Sequence, residues 1–406
     1  MVVLGSIFGV KLLTQLLTPV SYGELALGMT AATLVNQTIF GPLSNGVTRF
    51  YAPACEKGQL GGYLYGVRRL VVFATGIILL LLLIIVTGLM AAGLSKWLVL
   101  GIAALGFSVF TGFNAILDGI QNAARQRSVV ALHQGIGTWL RFFFAAGLLL
   151  AWGKNSWVAM IGYAISAVLV IGSQSIFFFK IIFKNVLKIE LIQQWQKKIW
   201  EFSWPISIFG VFTWLQLVSD RWALEVFSTT HEVGLYSVLF QLGYYPMSMA
   251  TGIAMQFLTP IFYQRAGDAT DRQRVANVTK MSWYTTILTM IFTIFTFLTA
   301  FFFHNQIFTF LVGINYLSVS FLLPWMLLSG GIFAAGQALS LNLQSQMKIR
   351  EIMTAKIVTA LIGVIFNFAG AYWYGIKGIV ISGVTFSVIY FLWMLLLSKY
   401  KGMEIV

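Results

Sequence analysis

The sequence is poor in most of what soluble enzymes and metalloproteins use. Its 406 residues include one cysteine, three histidines and seven prolines, and only 9% are Asp, Glu, Lys or Arg. The lone Cys55 excludes an internal disulfide, and no Cys/His spacing suits a metal centre. Acids are scarcest of all, 12 against 26 bases, giving a formal charge of +14. So basic a chain invites a nucleic-acid reading, but the placement of the charges argues for a different one. What the sequence does have is apolar: 59% hydrophobic residues, 35 Phe, 13 Trp and a mean hydropathy of +0.85. No water-soluble fold of this length hides that much apolar surface, so the lipid bilayer is the expected solvent.

Runs such as "LVVFATGIILLLLLIIVTGLM" (70–90) are long enough to cross ~30 Å of hydrocarbon as helices. Twelve spans are expected, near 1–17, 25–47, 70–90, 97–117, 131–151, 157–179, 204–226, 235–257, 281–303, 320–341, 353–374 and 376–398. Lys11 inside the first span, with many spans after it, argues against a cleaved leader. The connections then sort by charge. One set of alternating connections, with the C-terminal tail, carries 19 Lys and Arg, whereas the opposite set carries only Lys96, Lys154 and Lys377. Positive residues stay on the cytoplasmic side, so both termini are expected there. The net charge is mainly a topology signal, and no nucleic-acid partner is expected.

The second half echoes the first. At an offset of 211, Gly23, Gly41 and Thr48 fall on Gly234, Gly252 and Thr259. At an offset of 223, Gln121, Arg125, Arg127, Phe143, Ala146 and Gly147 fall on Gln344, Lys348, Arg350, Phe366, Ala369 and Gly370. The change of offset places an insertion in the external stretch 304–317, "HNQIFTFLVGINYL". The expected fold is all-α and polytopic, with about twelve transmembrane helices in two pseudo-symmetric six-helix bundles around a central cavity. The bundles are 1–179 and 204–398, with a tail at 399–406. The joining segment 180–203 places Lys180, Lys184 and Lys188 on one helical face beside Ile181, Ile182, Leu191, Ile192 and Trp195. That pattern reads either as an amphipathic helix on the cytoplasmic interface or as a tethered basic loop.

Charges inside spans carry the functional reading, since each costs roughly 2.5–3.5 kcal/mol at the bilayer centre. Lys11, Arg141, Arg221 and Lys356 are the intramembrane cations; Arg141 is mid-span, and Lys356 is near enough to an end to snorkel. Lys11 and Arg221 come within one residue of equivalence at the 211 offset, and His133 matches Lys356 at 223. The acids are Asp118, at the inner end of the fourth span, and Asp220 and Glu225 in the seventh. Side chains at adjacent positions point ~100° apart, so Glu225, four residues on, is the expected intrahelical partner of Arg221. That leaves Asp220 for another helix, a proton or a sodium ion, unless all three form one ion-pair cluster. The cationic balance suits an anionic ligand, phosphate above all. Gln15, Asn36, Gln37, Gln216 and Gln241 either add hydrogen bonds to such a ligand or bond neighbouring helices.

"LLTPVSYGELAL" (16–27), "NGVTRFYA" (45–52) and "SDRW" with "VGLYS" (219–237) resemble bacterial polysaccharide-repeat-unit flippases. These are the O-antigen and capsule translocases of the multidrug/oligosaccharidyl-lipid/polysaccharide exporter superfamily. The resemblance implies a rocker-switch transporter that carries an undecaprenyl-diphosphate-linked oligosaccharide from the inner to the outer leaflet. It implies Lys11, Arg141 and Arg221 as cationic substrate contacts, with Arg49 meeting the incoming headgroup. Lys356, Gln37 and Gln241 join the expected substrate set, and Asp220 and Glu225 the expected ion-coupling set. No cofactor is expected beyond a coupled Na+ or H+, and glycan polymerase and glycosyltransferases are the implied protein partners. Twelve spans are expected here, without the thirteenth and fourteenth helices of lipid II flippases, so a peptidoglycan role is less expected. Three other readings stand beside this one. A multidrug antiporter of the same superfamily would favour acids in its cavity. A membrane glycan polymerase or ligase would need a large external loop, and here the longest such stretch has only His304 as an ionisable residue. A scaffold for a glycan-assembly complex is the third.

Overall fold

The computed structural model describes residues 2–91, 93, 95–184, 192–267 and 271–403. Among these the chain forms twelve helical rods. In residues 1–215, a first compact unit, they are α1 (Val2–Leu16), α2, α3 (Leu60–Ala91), α4 (Ser95–Ala123), α5 (Arg127–Trp152), α6 (Ser156–Lys184) and the first part of α7 (Ile192–Phe227). α2 runs Pro19–Val35, through a π turn Asn36–Phe40, into Gly41–Glu56. The second unit, 216–406, holds the rest of α7, α8, α9 (Arg272–Leu311), α10, α11 and α12. α8 runs Thr230–Leu239, through a second π turn Phe240–Tyr244, into Tyr245–Ala266. α10 is a 3-10 stretch Ile314–Leu322 that continues as Leu323–Ser345. The run Ile349–Met403 is broken at Gly375 (φ 54°) into α11 (349–374) and α12 (376–403).

Local chemistry sets the ends. Thr18 caps α2 by accepting a hydrogen bond from the Ser21 N–H, with Pro19 in the first turn, where no N–H is needed. Thr229 caps α8 through the Glu232 N–H, and Asp271 caps α9 through the Gln273 and Arg274 N–H groups. Along α9, Thr285, Thr286, Thr289 and Thr293 each donate their hydroxyl to the carbonyl four residues back. That pairing lets a polar side chain sit in a lipid-facing helix without an orphaned donor.

Among the described residues, eight stretches are long and apolar enough to cross a bilayer, the most apolar being Leu60–Gly88 with a mean hydropathy of 3.1. The 50-residue stretch Arg350–Lys399 is one of them, and Gly375 divides it into two crossings. Leu79, Leu80, Leu83 and Ile84 are each more than half exposed, so the outer face of α3 is hydrocarbon. The chain is a multi-pass membrane protein, and these faces need lipid to cover them.

Within the first unit, α6 packs against α4 and α5, α2 against α4, and α1 against α5. Phe40, Val47, Tyr63, Ile78 and Ile120 form one continuous buried cluster that also takes in Trp195 and Ile199. Trp195 is 1% exposed and donates its indole N–H to Gln59 Oε1 at 3.2 Å. It therefore belongs to the core, not to an interfacial surface as its place in the amphipathic pattern suggests. The side chains of Lys180, Lys184 and Lys188 lie outside the described residues. In the second unit, α10 packs against α8, α9 and the α11–α12 hairpin.

Backbone geometry repeats between the units. Residues with positive φ recur in matching pairs: Gly58 and Gly267, Arg125 and Met347, Gly153 and Gly375. Two acids clamp equivalent turns. Glu24 on α2 accepts from Ser156 Oγ (2.8 Å) just after the α5–α6 turn, and Glu232 on α8 accepts from the Ile376 N–H (2.8 Å) at the α11–α12 turn. The units differ at 303–322. α9 breaks at Phe303 but runs on as helix to Leu311, and the 3-10 stretch follows. The expected external loop 304–317 is thus mostly helical. His304 and Asn305 hold it to Ser320, at 3.0 and 3.1 Å. The connection between the expected spans 204–226 and 235–257 is also short, because the Thr229 cap restarts helix at Thr230.

Candidate functional site

Two polar clusters stand out, one inside each unit. In the second unit, Asp220 and Tyr236 are buried at 6% and 5% exposure. Tyr236 donates its hydroxyl to Asp220 Oδ2 at 2.6 Å. Arg221 folds back one turn to donate from Nη1 to the Leu217 carbonyl (3.0 Å), which brings the same nitrogen to 3.2 Å from Asp220 Oδ1. Its own N–H also meets that oxygen at 2.7 Å. The ring of Phe240 covers the guanidinium at 4.5 Å. The expected Arg221–Glu225 pair is therefore corrected to Arg221–Asp220. The ~100° between neighbouring Cα–Cβ bonds is overcome because the long guanidinium arm reverses along the helix. Glu225 instead accepts from Thr230 Oγ1 at 3.0 Å, and its Oε2 is buried with no hydrogen-bond partner.

Beside Asp220 lies a cavity of ≈ 60 Å³, lined also by Gln216, Tyr244, Ser329 and Asn367. Asn367 on α11 donates to Ser219 Oγ at 2.9 Å, tying α11 to α7 there. Such a volume holds a few waters or a bare ion, and no diphosphate or sugar.

In the first unit, a cavity of ≈ 310 Å³ runs among α1, α4, α5 and α6. Arg141 lies at one part of its wall, half-buried over the rings of Phe142 (4.8 Å) and Tyr163 (5.2 Å). Asp118 lies at another, accepting from Gln174 Nε2 (2.6 Å) and Gln134 Nε2 (3.0 Å). His133 places Nδ1 2.7 Å from the Val129 carbonyl and Nε2 3.1 Å from Ser173 Oγ.

The remaining predicted residues are dispersed. Lys11 is half-buried on α1, Lys356 half-buried on α11, and Arg49 exposed near the end of α2. Gln37 and Gln241 are half-buried, and each lies on a π turn. Each π turn is followed by proline, Pro42 or Pro246. Proline cannot donate to the carbonyl four residues back and clashes with it, and the extra residue of a π turn accommodates the defect. Both turns share the spacing Gln-x-x-aromatic-x-Pro, at an offset of 204.

No family model matches the chain, and no curated protein matches it in sequence. Solved structures do match in fold. A structure described as lipid II flippase MurJ, inward closed conformation, aligns with a TM-score of 0.75 at 15% identity, covering 98% of this chain and 86% of that one. An inward-facing multidrug resistance MATE family transporter of the MOP superfamily aligns at 0.62 and 13% identity, covering 98% and 94%. The Vibrio cholerae MATE transporter VcmN in the bent form aligns at 0.53 and 13%, covering 98% and 99%. The chain has their fold. Among the described residues no cluster of three or more His, Cys, Asp or Glu could hold a metal ion.

Sequence reasoning named Arg141, Asp118 and His133 singly but did not bring them to one cavity. Asn114, Asp118 and Gln121 recur at i, i+4 and i+7 on α4, so they share a helix face, and that polar stripe in an apolar span is the signal that points to the cavity.

Proposed function

We propose that this chain is a flippase that moves an undecaprenyl-diphosphate-linked oligosaccharide repeat unit across the bacterial cytoplasmic membrane by alternating access. The observation that carries this reading is the fold shared along 98% of the chain with a lipid II flippase. The intramembrane cations agree with it. A diphosphate-linked glycan cannot cross hydrocarbon, because its charges and hydroxyls would lose hydration without replacement. We assign headgroup contacts to Lys11, Arg49, Arg141 and Lys356, helped by Gln37 and Gln241, and ion coupling to Asp220 and Glu225; Arg221, first expected among the headgroup contacts, is paired with Asp220 and joins the coupling group. A coupled Na+ or H+ fits the small cavity at Asp220. Moving such a substrate needs no bond made or broken, so the proposed activity is transport and not catalysis.

The multidrug reading keeps its basis in the shared MATE fold, but Asp220, the acid in the second unit's cavity, is already paired with Arg221 and Tyr236. A buried acid held that way is a poor receptor for a cationic drug. Deleting the gene separates the two readings. Loss of surface polysaccharide with lipid-linked repeat units accumulating in the inner leaflet is expected; unchanged polymer would refute the flippase assignment.

Orientation is tested by the single cysteine. Cys55 is exposed near the end of α2, the end that carries Arg49 and Lys57. A membrane-impermeant maleimide is expected to label it in inside-out vesicles and not in intact spheroplasts. The reverse pattern would place both termini outside.

A further inference from the structure

One cavity of the first unit lies away from both polar clusters. It occupies ≈ 500 Å³ between α3 and the first turns of α7, with Leu70 and Phe73 on one side and Gln193, Gln196, Lys197 and Trp200 on the other. The α7 residues recur at i, i+3, i+4 and i+7, so they form one helix face, distinct from the one that buries Trp195 and Ile199. The two walls differ in chemistry. Leu70 and Phe73 belong to a helix whose outer face is hydrocarbon, whereas the amides and ammonium opposite need water or an anion. Neither water nor an acyl chain alone satisfies both.

Depth resolves the conflict. Phe73 and Trp200 meet edge to face with 6.2 Å between centroids, which sets the two helices level at that point. Arg69 stands four residues before Phe73 and Lys197 three before Trp200, both exposed. At 1.5 Å per residue, the cations of both helices lie about 5–6 Å from the aromatic pair, toward the basic connections. In the other direction the same faces turn aliphatic, at Leu80 and Ile84 on α3 and Val211 on α7, all exposed. Cation, aromatic ring and aliphatic chain thus follow one another along both walls. That is the order in which a bilayer presents phosphate, ester and acyl chain.

Charge selects among lipids. Along 68–73 and 193–201 the cations are Arg68, Arg69, Lys197 and Lys198, and the one acid is Glu201. Lys198 is held over the Trp195 ring at 5.0 Å. Lys197 lies 3.8 Å from Glu201, but their side chains are 76% and 58% exposed, and so solvated a pair is worth little. A phosphate can therefore take Lys197 at small cost. We infer that the groove between α3 and α7 is a binding site for an anionic phospholipid of the surrounding bilayer. Its phosphodiester sits at Lys197 and Arg69, Gln193 and Gln196 hydrogen-bond the headgroup, and its acyl chains run down past Phe73. The inference needs only the membrane fold, not the flippase assignment.

The test is native mass spectrometry of the full chain in detergent, with phosphatidylglycerol and phosphatidylcholine in competition. Phosphatidylglycerol is expected to be retained in preference. Its affinity should fall about fivefold in Lys197→Ala and about fivefold again when Arg69→Ala is added. Gln196→Leu leaves every charge in place and should also cost about fivefold, the worth of one hydrogen bond. Arg272→Ala, which removes an exposed cation of the second unit, should change nothing. Equal retention of the two lipids would overturn the proposal. So would a loss in Arg272→Ala as large as that in Lys197→Ala, since that describes a diffuse basic surface. Displacement of phosphatidylglycerol by inorganic phosphate would mean a simple anion site, and displacement by an equal concentration of undecaprenyl phosphate would give the groove to another lipid; either refutes the assignment. Failure here leaves the flippase reading standing, and unchanged polymer in the deletion strain leaves the lipid site intact.

Discussion

Asp220→Ala is expected to lower the stability of the folded protein by about 3–5 kcal/mol, because it strands one buried charge and one buried hydroxyl together. Arg221 Nη1 would keep only the Leu217 carbonyl, and the Tyr236 hydroxyl would lose its 2.6 Å acceptor. Both groups are shielded from bulk solvent, the Arg221 side chain being 12% exposed and Tyr236 5% exposed, and the small cavity beside them offers only partial replacement. Asp220→Asn is milder. It keeps the volume and one acceptor oxygen, which can stay with Arg221 while the Tyr236 hydroxyl accepts from the new NH2, so the charge and one acceptor are lost but no group is left without a partner. The two variants therefore separate structure from coupling. Thermal unfolding in detergent should show a large drop for Asp220→Ala and a smaller one for Asp220→Asn. In proteoliposomes the Asp220→Asn protein should flip substrate without responding to imposed pH or sodium gradients. An unshifted melting curve for Asp220→Ala would deny the ion pair. A wild-type gradient response in Asp220→Asn would remove Asp220 as the coupling group. Glu225→Gln is the contrast. Its carboxylate meets only Thr230, so a loss of about 1 kcal/mol is expected.

Most of the rods were legible because, α1, α2 and α8 apart, they depend on long apolar runs, and the bilayer leaves such a run almost no alternative to helix. The duplication was legible where it is written in glycines and turns. Its register in the second block was one residue out: the positive-φ pairs Arg125/Met347 and Gly153/Gly375 fix an offset of 222, whereas the identities gave 223 and set Arg125 against Lys348. Three features were hidden for different reasons. The π turns follow from Pro42 and Pro246, at an offset of 204, while the Thr18 and Thr229 caps match at 211. An alignment of fixed offset therefore slides one past the other. The Asp220–Arg221 pair depends on the path of a flexible side chain, and spacing rules along a helix describe only where that chain starts. Trp195 was misplaced because its neighbours are amphipathic, and only the tertiary packing of Tyr63, Phe50 and Gln59 shows that it is core. Of the two polar clusters, the one at Asp220 was visible as charge. The one around Arg141 was half visible, since amides carry no charge and are common between membrane helices.

Gly378→Leu is expected to abolish the folded state of the second unit. α11 and α12 form a hairpin around Gly375, and their backbones touch at Gly370 and Gly378. A Cβ on Gly370 would lie 2.6 Å from the Gly378 carbonyl oxygen, and a Cβ on Gly378 would lie 2.5 Å from the Gly370 carbonyl carbon. Side chains can change rotamer to relieve an overlap, but these neighbours are main chain and cannot. Ser382 fastens the same spot: its hydroxyl, shared with the Gly378 carbonyl of its own helix (2.9 Å), donates across the hairpin to the Phe366 carbonyl (2.6 Å), a bond that is lost if the arms part. Membrane helices gain much of their association from such close approach between small residues. Overpacking against side chains costs about 1–3 kcal/mol, and against fixed backbone the cost should exceed that range. Gly76→Leu is the control, because nothing lies within 4 Å of a Cβ placed there. Size-exclusion chromatography of detergent extracts should show Gly76→Leu as a wild-type peak and Gly378→Leu as aggregate or no protein. A wild-type profile for Gly378→Leu would mean that the hairpin does not hold its helices at backbone contact.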